Sequence, residues 1–244
     1  MAVAASVPPG DVVYAVGDVH GELELLKHML ALIAADAARF LPDHRITLIL
    51  LGDYVDRGPD SRGVLDLLCG DPLPGATLRC LRGNHEDALL AFLEQPETGR
   101  DWLRFGGAET LASYGLIAPP GTNDTARLRS LSQGLRERLP VAHTAFLRET
   151  RFLETLGDYV FVHAGVRPGL PLERQTPRDL MWIRDDFLDR VFPAPPVIVH
   201  GHTIVDSPEL LPHRIAIDTG AFATGILSAV RLNGPERHII QARR

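Results

Sequence analysis

The sequence predicts an α/β fold in which two mixed β-sheets pack together, flanked by helices. Three observations lead there. As far as Leu93, short apolar runs alternate three times with segments of helical period, the mark of successive βα units. From Arg151 onward the chain is instead rich in short apolar runs, as strands of a second sheet would be. Five apolar runs end in Asp, Asn or His beside glycine, which is where an open α/β sheet presents its ligand-binding groups.

Asp11 to Val16 reads as the first strand, a short apolar run bounded by turn residues. Gly17-Asp18-Val19-His20-Gly21-Glu22 follows, and leucines, Met29 and Ile33 then recur at helical spacing to about Arg39. Ile46 to Leu51 is the second strand and stops abruptly at Gly52, Asp53, Asp56, Arg57 and Gly58. A helix over Ser61 to Leu68 comes next, with Ser61 as its expected N-cap. Ala76 to Leu81 gives a third strand, ending in Arg82-Gly83-Asn84-His85-Glu86, and a helix from about Asp87 to Leu93.

Residues 97 to 147 break the pattern. Asp101 to Ser113 and Ala126 to Arg138 have helical character and are separated by Pro119-Pro120-Gly121, so this stretch is expected to be a helical cap-like insertion within a single domain spanning 1–244. The remaining strands fall at Arg151 to Leu156, Tyr159 to His163, Val197 to His200, Arg214 to Ile217, Ile226 to Leu232 and His238 to Gln241. Gly157-Asp158 supplies a hairpin turn between the first two. Parallel units followed by antiparallel strands are what suggest two sheets.

Bulk properties exclude several classes. An apolar content of 45% suits a globular core, and a net charge of −6 argues against a broad basic face for nucleic acid. Lys27 is the only lysine, so an arginine is informative only through its position. Cys69 and Cys80 form no Cys-x-x-Cys pair and are expected to be buried thiols in a reducing compartment. The first ten residues lack the basic region of a signal peptide, and no apolar run approaches the ~18 residues of a membrane helix. A cytoplasmic protein with no membrane partner is the expectation.

The chemistry lies at the strand ends. Asp18 and His20 stand at i and i+2, the spacing that puts extended side chains on one face. Asp53, Asn84, His163 and His202 each follow a strand-like run. Oxygen and imidazole donors without thiolate suit Mn²⁺, Fe or Zn²⁺, and six such groups hold two ions if a carboxylate is shared. Singly, each residue reads better as a cap or a satisfied core group; recurrence is what changes the reading. His85-Glu86 is not a zincin motif, because Leu89 stands where a second histidine would be needed. Trp102, Phe105 and Leu111 read as core, and Phe187, Leu188, Val191 and Phe192 as packing. Asp185, Asp186 and Asp189 read as a solvated helix face, and His28, His44, His143, His213 and His238 as structural or solvated.

Gly17-Asp18-Val19-His20-Gly21, Gly52-Asp53-Tyr54-Val55-Asp56-Arg57-Gly58 and Arg82-Gly83-Asn84-His85-Glu86 resemble the three signature motifs of the phosphoprotein phosphatase family, binuclear metallophosphoesterases. His163-Ala164-Gly165 and Gly201-His202-Thr203 match that family's later histidine motifs, in the form of its bacterial and phage branch, where no eukaryotic-type regulatory subunit is expected. The resemblance implies a four-layer αββα sandwich. It makes Asp18, His20 and Asp53 ligands of one divalent metal ion, and Asp53, Asn84, His163 and His202 ligands of the other. It makes His85 the general acid, oriented by Asp56, with Arg57 and Arg184 on phosphate. It also implies a serine/threonine protein phosphatase using Mn²⁺, with Fe or Zn²⁺ as alternatives, acting on phosphorylated proteins or peptides. A symmetrical diadenosine tetraphosphate hydrolase is the alternative on the same scaffold, and a catalytically dead binding module is a third reading. Asp56 tilts the choice towards the phosphatase, because the diadenosine relatives commonly lack it.

Overall fold

The computed structural model describes residues 4–191 and 196–244. Three βα units open the chain: β1 (Asp11–Val16) and α1 (Leu23–Ala37), β2 (Arg45–Leu50) and α2 (Ser61–Leu68), β3 (Thr77–Cys80) and α3 (Asn84–Glu94). The insertion then contributes α4 (Gly99–Trp102), a π-type turn at Leu103–Gly107, α5 (Ala108–Ser113), α6 (Thr125–Arg138) and α7 (Val141–Glu149). Next come β4 (Leu153–Leu156), β5 (Tyr159–Val162), α8 (Pro177–Trp182), α9 (Asp185–Leu188), β6 (Val197–His200), β7 (Glu209–Leu210) and β8 (Arg214–Ala216). The chain closes with α10 (Ala221–Thr224), β9 (Ile226–Asn233) and β10 (Glu236–Arg243).

The described strands form two mixed sheets, ordered β10-β9-β1-β2-β3 and β4-β5-β6-β8-β7. Side-chain alternation along β1 explains the layering. Val12, Tyr14 and Val16 face the helices, while Val13 and Ala15 join Ile49, Leu51, Phe161, Val199 and Ile215 between the sheets. The far face of the second sheet is covered by Leu180, Ile183 and Phe187, against Val160, Val162 and Ile198. Two sheets flanked by helices, as expected, thus follow from strands that are apolar on both faces.

Several expectations are corrected. The boundary between parallel and antiparallel strands is not the boundary between sheets. β5, β6 and β8 run parallel, with β4 and β7 antiparallel at the edges, while the β9–β10 hairpin returns to the first sheet and pairs antiparallel with β1. Ser61 is not the N-cap of α2. Asp60 takes that place, its Oδ1 accepting from Gly63 N at 2.7 Å, and Ser61 Oγ instead accepts from Asp56 N at 3.0 Å. The third helix starts at Asn84 rather than near Asp87, so Asn84 and His85 occupy its first turn. Residues 101–113 are not one helix, because Gly106 at φ +110° interrupts them. Cys69 is exposed and Cys80 half-buried, so neither is a fully buried thiol. Phe105 and Val191 are exposed rather than packed, and Phe192 lies outside the described residues. Among the described residues, no helix is long and apolar enough to cross a membrane.

Candidate active site

The C-terminal ends of six parallel strands, three from each sheet, point their loops at one place. β1 leads to Asp18 and His20, β2 to Asp53, Asp56 and Arg57, and β3 to Asn84 and His85. β5 leads to His163, β6 to His202 and β8 to Asp218. All but Arg57 are buried. The side chains come together through backbone turns, not through strand alternation. His20, Asp53, Asp56, Arg57 and His202 all have positive φ, a left-handed geometry that ordinary residues seldom adopt. The i, i+2 argument for Asp18 and His20 therefore fails, although both reach the site. Val19 N and His20 N donate to the Asp53 carbonyl at 3.1 and 2.8 Å, stitching the first loop to the second.

Glu86, missed in the sequence, holds that second loop. It is fully buried, its Oε2 accepting from Asp53 N and Gly83 N at 2.8 and 2.9 Å and its Oε1 from Tyr54 N at 2.7 Å. The Gly83-to-Glu86 capping-box spacing at the start of α3 is the signal that could have found it.

Two sets of donor atoms share Asp53. His20, Asp53 and His85 form one, and Asp53, His163 and His202 the other, with ligand atoms within 4.8 Å of one another in each. Asp53 gives a different oxygen to each side: Oδ2 lies 3.5 Å from His20 Nε2, and Oδ1 lies 3.4 Å from His163 Nε2. Asn84 Oδ1 lies 3.0 Å from that same His163 nitrogen. Asp18 reaches the pocket but belongs to neither set, its carboxylate accepting from His202 N at 3.1 and 3.3 Å. It lies beside Asp218, a carboxyl the sequence reading overlooked because Asp218-Thr219-Gly220 looks like an ordinary turn.

The four histidines sort into two kinds. His20 Nδ1 and His163 Nδ1 sit 2.9 and 3.0 Å from the carbonyls of Val55 and Leu51. A carbonyl only accepts, so each ring carries its proton there and turns a bare Nε2 towards Asp53. Burial pushes His20 down to about 3 and His202 to about 2, and holds His163 below its usual value. The Nε2 atoms of His20 and His202 have no hydrogen-bond partner. His85 differs: burial opposes its charge, but Asp53 and Asp56 outweigh that and raise its pKa. Its Nδ1 donates to Asp56 Oδ2 at 2.7 Å, and Arg57 Nη2 lies 3.2 Å from its Nε2.

These features fit divalent cations. Burial, Asp218 and Asp53 push Asp18 well up, while burial and Asp53 bring Asp218 to about 6, as expected of three carboxyls buried together without a cation. Orphaned imidazole lone pairs and a carboxylate split between two donor sets complete the fit.

The insertion supplies part of this site. Asp56 Oδ1 accepts from Thr110 Oγ1 at 2.6 Å, and Asp56 Oδ2 accepts from Trp102 Nε1 at 2.8 Å. Arg57 N donates to Gly106 O at 3.1 Å, and a Cβ on Gly106 would stand 2.6 Å from that nitrogen. Trp102 is therefore not merely core, as its helical spacing implied. Its ring packs on Phe92 at 4.7 Å while its N–H holds Asp56. Trp102→Phe keeps the packing and removes one hydrogen bond to a buried carboxylate, worth about 1.5–3 kcal/mol. Steady-state kinetics should show kcat reduced by up to roughly 10- to 150-fold, with KM and metal content unchanged. An unaltered kcat would remove Trp102 from the site.

Arg57 also rests on Phe222, its guanidinium 4.8 Å from the ring centroid, and that ring meets His20 edge-on at 5.3 Å. Arg184 is exposed on the other flank, where Nη1 donates to Thr203 Oγ1 at 3.3 Å. His200 faces away from the metal-type sets, with Nδ1 near the Gly201 carbonyl and its ring against Phe187 at 5.1 Å.

Oxygen and imidazole donors gathered at strand ends between two sheets, around one shared carboxylate, define a metallophosphoesterase. The calcineurin-like phosphoesterase profile matches residues 12–221, and the chain belongs to that family. It is 28% identical over 234 residues to the asymmetrical bis(5′-nucleosyl)-tetraphosphatase PrpE of Geobacillus thermodenitrificans, with 88% of each chain covered. It is 26% identical over 243 residues to the protein of the same name from Bacillus cereus, covering 92% of this chain and 91% of that one. Among solved structures, one provisionally assigned as a diadenosine tetraphosphatase superposes with a TM-score of 0.63 at 23% identity, over 98% of this chain and 99% of that one. A serine/threonine phosphatase from Saccharomyces cerevisiae superposes at 0.54 with 16% identity, over 97% and 81%. The likenesses to solved structures establish the fold alone.

Proposed function

We propose that this chain hydrolyses bis(5′-nucleosyl) tetraphosphates asymmetrically, releasing a nucleoside triphosphate and a nucleoside monophosphate. The observation that carries the reading is its likeness, along nearly the whole of both chains, to relatives of that name. This reverses the order expected from the motifs and replaces symmetrical with asymmetrical cleavage. The geometry agrees with it. Arg57 stands beside His85, and Arg184 lies on the flank of His202, so guanidinium groups bracket the shared Asp53 as an extended polyphosphate would require.

His20 and Asp53 would hold one divalent ion, with Asp18 alongside, and Asp53, Asn84, His163 and His202 the other. When bound, such a pair supplies a hydroxide near neutral pH and offsets charge on the phosphoryl oxygens. The chain's own groups do the rest. Arg57 and Arg184 bind phosphate oxygens, and His85 gives a proton to the departing oxygen while Asp56 keeps the imidazole oriented and charged. Mn²⁺ is the first ion to assay, with Fe and Zn²⁺ compatible with the same donors.

A second reading, a serine/threonine protein phosphatase, is favoured by the His85–Asp56 contact of 2.7 Å. A serine alkoxide is a far more basic leaving group than a nucleotide phosphate and has the greater need of a proton donor. Diadenosine tetraphosphate, a phosphoserine peptide and a phosphotyrosine peptide, assayed side by side with Mn²⁺, separate the readings. The expected result is preference for the dinucleotide, with ATP and AMP as products. Two molecules of ADP would restore symmetrical cleavage, and preference for a peptide would overturn the proposal.

A further inference from the structure

Trp182 ends α8 and is 42% exposed, an unusual place for an indole at the edge of a buried polar site. Its ring meets that of His202 edge-on, with centroids 6.3 Å apart and planes at 78°. Ile183, the next residue, is extended and turned inward with 7% exposure. Trp182 and Arg184 flank this buried residue and are both exposed. Arg184 bonds to Thr203, the residue after His202, and thus stands at the same end of the site. An aromatic plane and a guanidinium fork side by side offer one surface for a base and another for a phosphate.

The opposite end is built differently. Phe222 carries the Arg57 guanidinium over one face and directs its edge to His20, so it serves to hold a phosphate-binding arginine. Among the described residues, no guanidinium lies over the Trp182 ring. We infer that Trp182 is the stacking platform for one nucleobase of a dinucleoside polyphosphate, with Arg184 holding the phosphate nearest that nucleoside. The inference rests on the substrate reading above and adds direction to it. A platform at the His202 end holds one terminal nucleoside and so fixes which phosphate of the chain lies over Asp53, with the phosphates running from Arg184 towards Arg57.

Stacking of a base on an aromatic side chain is lost on alanine substitution, at roughly 5- to 100-fold in affinity. In the metal-loaded full-length chain, Trp182→Ala should raise KM for diadenosine tetraphosphate by that factor, and Trp182→Phe should recover part of it. Inhibition by tripolyphosphate, which has no base, should keep its constant in both variants. A binding readout is independent of turnover. The chain has two tryptophans, and Trp102 is buried, so a methylene-bridged diadenosine tetraphosphate should quench emission in the wild type and not in Trp182→Phe. Wild-type turnover of the dinucleotide with unchanged KM in Trp182→Ala would overturn the Trp182 assignment alone. Equal weakening of tripolyphosphate inhibition would also overturn it, by showing that Trp182 acts through Arg184 or His202. No wild-type turnover of the dinucleotide would bring down the substrate reading and this inference together.

Discussion

Asp53→Asn is expected to lose both metal ions and catalytic turnover in a single step. The two oxygens of Asp53 face different histidines, at 3.5 and 3.4 Å, so among the described residues it is common to both donor sets. Asparagine is nearly isosteric and tolerates the left-handed backbone found here, φ 52°. The fold therefore survives the substitution, and the effect is on charge. An amide offers one neutral oxygen where the carboxylate would serve two cations. Losing several kcal/mol of charge stabilisation at phosphorus lowers kcat roughly 10³-fold or more. The check is metal content by mass spectrometry beside turnover, with circular dichroism to confirm folding. A variant that retains two ions per chain and normal turnover would refute the bridging role.

His85→Asn tests the proton donor, and its signature is a dependence on the leaving group. Nδ1 donates to Asp56 Oδ2 at 2.7 Å, which orients the ring. That leaves Nε2, now 3.2 Å from the donor Nη2 of Arg57, as the nitrogen that would pass a proton to the leaving group once Arg57 turns to phosphate. Removing a general acid costs roughly 10²- to 10⁴-fold in kcat. The full loss is expected on a phosphoserine peptide, whose alkoxide must be protonated as it leaves. Aryl phosphates and dinucleoside tetraphosphates expel weaker bases and should lose less. Equal losses across all three would show that His85 contributes binding or charge instead. Metal content should be retained, which separates this variant from Asp53→Asn.

The strand-end residues were legible because each sits in a short local pattern: an apolar run, a glycine, then a donor. That pattern located Asp18, Asp53, Asn84 and His202, and His20 and His163 stand close to the same glycines and strand ends. The structure brings all six together, with Asp18 held on a backbone N–H outside either donor set. What was not legible acts across space. Trp102 and Thr110 reach Asp56 from the insertion, and nothing in an amphipathic helix marks which indole will find a carboxylate. Asp218 shares its neighbourhood with Asp18 only because β8 lies beside β6 in the second sheet. Asp60 and Ser61 are both sound N-caps by propensity, and the choice is made by Asp56, whose N–H takes the serine hydroxyl. The alternation of β9 and β10 identifies a hairpin but carries no address for its partner, so the return to β1 could not be foreseen.

That return has a bearing on biosynthesis. β1 is bonded along one edge to β2 and along the other to β9, so one of its two neighbours is made long after it. Until β9 is made, that edge carries unpaired backbone N–H and C=O groups, open to pairing with a neighbouring chain. Deleting Ile226–Asn233 is therefore expected to expose that edge and favour aggregation over a smaller folded domain.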